Sequence, residues 1–183
     1  MAYSIRNQQG LYLITCTVVR WIDIFSRKDY KDIVIDSLRY CQQRKGLELA
    51  AFCLMTNHLH LIVRAAEDKR LSDILRDFKK FTSGQIITRL LTHPQESRRD
   101  WLQWLFADEG RQNPNNQYYQ VWQQRSHAVE LTSPGMVAQR LRYVHDNPVR
   151  AGICYCPEDY LYSSASEYAG REAVLPVSWQ LTF

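Results

Sequence analysis

Cys53-Leu-Met-Thr-Asn-His-Leu-His-Leu-Ile-Val63 places two histidines two residues apart inside an apolar run. An extended strand alternates its side chains between faces, so His58 and His60 project from one face with backbones roughly 6.6 Å apart. Leu59, Leu61 and Val63 then turn to the opposite face, against a core, and Met55-Thr-Asn57 reads as the turn entering the strand. Two imidazoles at this spacing can converge on one metal ion. They fit equally well as half-buried strand histidines hydrogen-bonded to neighbours. The spacing alone does not separate the two readings.

Outward from this strand, Leu11 to Val19 reads as a first strand, followed by a charged turn region over Asp23 to Asp29. Tyr30, Ile33, Val34, Ser37, Leu38 and Cys41 recur at helical spacing, and Gly46 stops that helix. Leu47 to Leu54 returns as a strand beside the histidine strand. A second helix starts near Leu71, with Ile74, Leu75 and Phe78 on its apolar side and Arg76, Lys79 and Lys80 as cations able to hold phosphates; Gly84 is a kink or end within it. From 93 to 124 the periodicity weakens into an insertion or flap that includes a short helix around Trp101 to Phe106. Tyr118, Tyr119 and Trp122 there are candidates for stacking on unpaired bases, or for packing beneath a loop.

A last strand covers Ser126 to Leu131, and Ser133-Pro134 supplies an N-cap and a first-turn proline. That helix runs through Val137, Leu141 and Val144 to Asn147, where Pro148 is expected to end it. Tyr143 and Asn147 share a face of the helix, with Arg140 one turn earlier, while His145 points elsewhere. A phenol, an amide and a guanidinium on one stripe suit a nucleophile, a metal ligand and a phosphate clamp. The order strand, helix, strand, strand, helix, strand is the ferredoxin-like or RRM-like α+β arrangement. Such a sheet carries its helices on one side, and an added C-terminal helix laid on the open face brings Tyr143 toward His58 and His60.

The 183 residues, 45% hydrophobic, read as one domain of 1–183 with an extension from 148. A net charge of +4, with 23 Lys and Arg, leaves room for a basic face that attracts an anionic partner. The polar N-terminus and the lack of a long apolar run predict a soluble, cytoplasmic protein without membrane contact. Five cysteines without regular spacing argue against a disulfide framework, and Cys154-x-Cys156 has no second pair to complete a zinc site.

Three segments resemble the single-tyrosine HUH transposases, specifically the REP-associated tyrosine transposases of the IS200-like superfamily. Met55 to Val63 is similar to the family's histidine-hydrophobic-histidine strand, with Thr56 where proline is common. Arg142-Tyr-Val-His-Asp-Asn-Pro-Val-Arg-Ala-Gly152 resembles the Y-I-H-N-N-P-V-x-A-G block, and Pro157 to Ala165 resembles a downstream P-E-D-Y-x-Y-S-S-A segment. With weaker matches at Trp122-Gln123 and His127-Ala-Val129, the resemblance covers most of 11–165.

The resemblance implies an HUH endonuclease fold, and a transposase that cleaves and rejoins hairpin-forming, palindromic single-stranded DNA through a 5′-phosphotyrosine on Tyr143. It implies a divalent metal, Mg²⁺ or Mn²⁺, held by His58, His60 and Asn147, where related transposases use glutamine at the last position. Arg140, Lys79, Lys80 and Arg76 would neutralise phosphate charge, and relatives that pair suggest a homodimer. A two-histidine phosphoesterase lacks its second motif here, and a two-tyrosine relaxase lacks a tyrosine three or four residues from Tyr143. The remaining rival is a catalytically inactive descendant that binds single-stranded DNA or RNA.

Overall fold

The computed structural model describes residues 5–114 and 118–182. Its core is a four-stranded antiparallel sheet built from β1 (Tyr12–Thr17), β2 (Leu47–Leu54), β3 (His58–Ala65) and β4 (His127–Glu130), in the order β2-β3-β1-β4. The histidine strand is therefore central, as the βαββαβ order predicts. Helix α1 (Lys28–Tyr40) joins β1 to β2 and continues through a wider turn to Gly46. There a left-handed φ of 73° that glycine accepts without steric cost turns the chain into β2.

Helix α2 (Leu71–Thr92) follows β3, and α3 (Arg99–Arg111) packs on it. Lys79 of α2 lies beside Cys16 of β1, and Leu75 and Ala128 line one cleft, so α2 covers the face bearing Cys16, Leu59 and Ala128. The opposite face carries His58 and His60 and is covered by α4 (Pro134–Arg150), which packs on β2 and β3. Helices thus lie on both faces. Ser133 caps α4, its hydroxyl accepting from the Met136 N–H, and Pro134 occupies the first turn.

Two boundaries differ from the sequence expectation. Pro148 does not end α4; it is buried inside it, and the helix continues to Arg150. Proline removes one backbone donor, but Ala151 N–H still reaches Asn147 O, and burial of the ring offsets the lost bond. Gly152, at φ 70°, is the true terminator, with its N–H on Val149 O and the Ile153 N–H on Pro148 O. Gly84 neither kinks nor ends α2. Its cost of about 1 kcal/mol relative to alanine is outweighed by Phe78, Ile86 and Leu90, buried on either side.

Within 93–124, α3 buries Leu102, Leu105 and Phe106, while positions 115–117 of the turn-rich stretch lie outside the described residues. After α4 the chain runs along the outer edge of β2. Leu54 N–H donates to Tyr162 O, Ser164 N–H to Phe52 O and Ser178 N–H to Leu49 O, so the free edge is paired rather than open to another chain. Ala50, the extra residue of a bulge in β2, has its carbonyl met by the Tyr168 hydroxyl. No helix among the described residues is long and apolar enough to cross a membrane.

Glu96, between α2 and α3, has a fully buried side chain held by Arg27, Arg98 and the Tyr30 hydroxyl. Burial alone would raise its pKa, but hydrogen bonds from Arg98 and the charges of Arg98 and Arg27 bring it below the ordinary 4.5. The folded state therefore binds this proton less readily than the unfolded chain. Its contribution is complete above pH 4.5 and is lost as pH falls through the lowered value. Glu96→Ala is expected to cost about 3 kcal/mol in urea denaturation at pH 7, with a smaller difference from the parent near pH 3.

Candidate functional site

The two histidine rings lie edge to face with centroids 4.7 Å apart. Each spends Nδ1 on a neighbouring oxygen. His58 Nδ1–H donates to Asn57 Oδ1 at 2.7 Å, and His60 Nδ1 lies 2.9 Å from Thr15 Oγ1, directly across the β1–β3 pair. Donation of His58 Nδ1–H to an amide oxygen leaves its Nε2 with a lone pair, the tautomer that binds metals, and His60 adopts the same tautomer when Thr15 Oγ1 accepts from its Nδ1–H. His60 Nε2 is buried and has no hydrogen-bond partner among the described residues. Burial, reinforced by neighbouring His58, pulls the His60 pKa down to about 3, and burial also lowers that of His58. Both imidazoles are neutral at pH 7.

The histidine face is not open, as the sequence suggested. His60 is only 3% exposed, because α4 lies across it. Tyr143 meets His60 edge to face at 5.3 Å, and the Arg150 guanidinium sits 5.7 Å from the Tyr143 ring. Asn147 donates its Nδ2 to Tyr143 O at 2.7 Å, which leaves Oδ1 as an acceptor beside His60. Arg140, one turn earlier, has a buried Nε without a hydrogen-bond partner among the described residues. Tyr143, Asn147, His58 and His60 are thus brought together from two elements far apart in sequence, β3 and α4. His145 points away, onto Ser164 Oγ and the Tyr168 ring, and anchors α4 to the C-terminal segment.

The donor set suits a divalent cation in part. Among the described residues no third His, Cys, Asp or Glu joins the histidines. The two Nε2 lone pairs and Asn147 Oδ1 make a mixed nitrogen and oxygen set that leaves positions for phosphate oxygens and water.

The cations of α2 are placed differently from the expectation. They lie on the other side of the sheet from the histidines and cannot neutralise charge at a phosphate held there. Lys79 uses its ammonium on Gln123 O, Gln124 O and Ser126 Oγ, tying the 123–126 segment to α2. Arg76 pairs with Asp73 and Asp77, and Lys80 is exposed with no ion pair among the described residues. Trp122 is a packing residue: it is 3% exposed, lies between Phe25 and Phe78, and donates its indole N–H to Thr82 Oγ1. A ring so enclosed offers no face to a base.

Three residues beside the site, two next to the histidines and one over the Tyr143 ring, carry no local sequence signal. Thr15 is found only through strand register, and it also faces His127 across β4. Arg150 follows a proline expected to end its helix. Trp21 lies in a tight turn after β1, its exposed ring 5.9 Å from His58. Arg20 and Trp21 both adopt positive φ, 50° and 57°, which is costly for side chains of this size.

The family model described as "Transposase IS200 like" matches residues 11–113, which includes both histidines and stops short of α4. The chain also superposes on a solved structure described as a REP-associated tyrosine transposase bound to a REP hairpin. The TM-score is 0.61 at 16% identity, covering 100% of this chain and 93% of that one, a likeness of fold. A crystal structure of a putative transposase from Deinococcus radiodurans aligns with TM-score 0.45 and 16% identity over 80% of this chain and 97% of that one. No curated protein matches.

Proposed function

The chain belongs to the IS200-like transposase family, and we propose that it cleaves and rejoins hairpin-forming single-stranded DNA through a covalent link to Tyr143. The observation that carries this reading is the approach of the Tyr143 ring to His60, whose buried Nε2 has no hydrogen-bond partner among the described residues. A buried polar atom left unpaired is costly unless a ligand meets it.

His58 Nε2, His60 Nε2 and Asn147 Oδ1 would hold Mg²⁺ or Mn²⁺. When bound, such an ion supplies Lewis-acid polarisation of a non-bridging phosphate oxygen. Asn57 and Thr15 fix the ring orientations through Nδ1, and Asn147 is itself steadied by its bond to Tyr143 O. The Tyr143 hydroxyl attacks the phosphorus, losing its proton. The bond to the 3′ oxygen breaks, and that oxygen takes up a proton as a free 3′-hydroxyl. One phosphodiester replaces another, so a different 3′-hydroxyl can reverse the attack and join strands without an energy source. Arg140 and Arg150, on the same helix as Tyr143, would offset the charge gathering on the phosphate. Arg76 and Lys80 would meet DNA only beyond the reacting phosphate.

The test is incubation of a labelled single-stranded hairpin with Mn²⁺ or Mg²⁺, followed by denaturing gels and mass mapping of any adduct. A denaturant-resistant product mapped to the peptide bearing Tyr143 is expected. Cleavage without an adduct would assign the attack to water and reject the proposal.

A further inference from the structure

We infer that the indole of Trp21 is a stacking platform for one nucleobase of the single strand, next to the phosphate held at the histidine and tyrosine site; this rests on the function proposed above. Among the described residues, Trp21 is the exposed large aromatic in ring contact with a histidine of that site, its indole 60% exposed and 5.9 Å from His58. A ring left in solvent contributes little to the core. Its backbone makes the placement more telling, because Arg20 and Trp21 are consecutive non-glycine residues in the left-handed region. Glycine or asparagine would occupy that conformation at lower cost.

The turn is held from two sides. Arg20 Nε donates to Glu109 Oε1 at 2.6 Å and its Nη2 to Asp108 Oδ2 at 2.9 Å, so α3 grips the turn from outside. From inside, Asn57 Nδ2 donates to Trp21 O, while Asn57 Oδ1 accepts from His58 Nδ1–H. One amide thereby fixes the indole's backbone and the histidine ring together. Strain of this kind persists where the surroundings over-determine it, and such positions cluster at ligand sites. An indole offers a face on which any base can stack, with strength that depends little on base identity. A base on Trp21 would fix the strand's position relative to the phosphate without reading its sequence by hydrogen bonds.

The experiment measures affinity for a single-stranded hairpin oligonucleotide carrying one abasic residue at each unpaired position at the foot of its stem in turn. Binding is measured in a Tyr143→Phe background with Trp21 intact, with Trp21→Phe and with Trp21→Gly. With Trp21 intact, one abasic position is expected to weaken binding about tenfold. Trp21→Gly should weaken the unmodified oligonucleotide by a similar factor and become insensitive at that position, with an equal or higher Tm because glycine relieves the positive φ. Trp21→Phe should retain part of the sensitivity.

Equal affinity of Trp21→Gly for the unmodified oligonucleotide, or an unchanged abasic profile, would overturn the inference. So would altered self-association with an unchanged profile, which assigns the ring to a second copy of the chain. Adduct formation by the protein with Tyr143 intact is scored separately. An adduct without the abasic signature removes the platform and keeps the function; the signature without an adduct does the reverse. No binding by any variant removes both.

Discussion

Tyr143→Phe is expected to abolish the covalent DNA adduct and to lower strand cleavage by at least about 10³-fold, or about 4 kcal/mol of transition-state stabilisation. The substitution removes one oxygen and keeps the ring, so the edge contact with His60 and the cation above the ring survive. Unfolding midpoints of parent and variant should agree closely. DNA affinity should also persist, since the ring and the arginines of α4 remain. Denaturing gels with a labelled hairpin and Mn²⁺ check the adduct, and thermal scans check the fold. If the variant cleaves as fast as the parent, the nucleophile is water or another group and the mechanism fails. If neither protein cleaves any hairpin while both bind it, the inactive nucleic-acid binder becomes the better reading.

The second large effect separates the two histidines. His58→Ala is expected to lower cleavage by at least about 10²-fold and to weaken Mn²⁺ binding in calorimetry, with little change in stability because the ring is only half-buried. His60→Ala should lose as much activity and also about 2 kcal/mol of stability, since His60 is buried under α4 and bonded to Thr15. A variant of either histidine that folds, cleaves normally and binds Mn²⁺ like the parent would return both residues to a packing role.

The same burial sets a pH dependence. His60 and His145 resist protonation down to about 3 and about 4, while their unfolded forms protonate near 6.5. Between those values the unfolded chain binds more protons, so stability falls as pH drops below 6.5. Denaturant midpoints from pH 7 to 5 should show that fall in the parent and a shallower one in His60→Ala.

What local sequence determines here is whatever depends on a short repeat. The period of two put His58 and His60 on one face, and the period of 3.6 put Tyr143 and Asn147 on one stripe. Ser133 and Gly46 marked a helix start and stop because capping acts within a few residues. The order of elements then made the histidine strand central. Local rules misjudged Pro148 and Gly84, where burial across the fold outweighs a propensity of about 1 to 3 kcal/mol.

Everything that depends on which element lies across from which was left to the tertiary structure. Cationic spacing on α2 reads the same whether the helix covers the histidines or the opposite face, and only packing shows that Lys79 serves the 123–126 segment. Trp122 and Trp21 are alike as letters, yet one is enclosed by Phe25 and Phe78 and the other stands beside His58. Thr15 gained its place opposite His60 through strand register. Register, burial and the choice of face are set by contacts between residues far apart in the chain, and no short window of sequence contains both partners of such a contact.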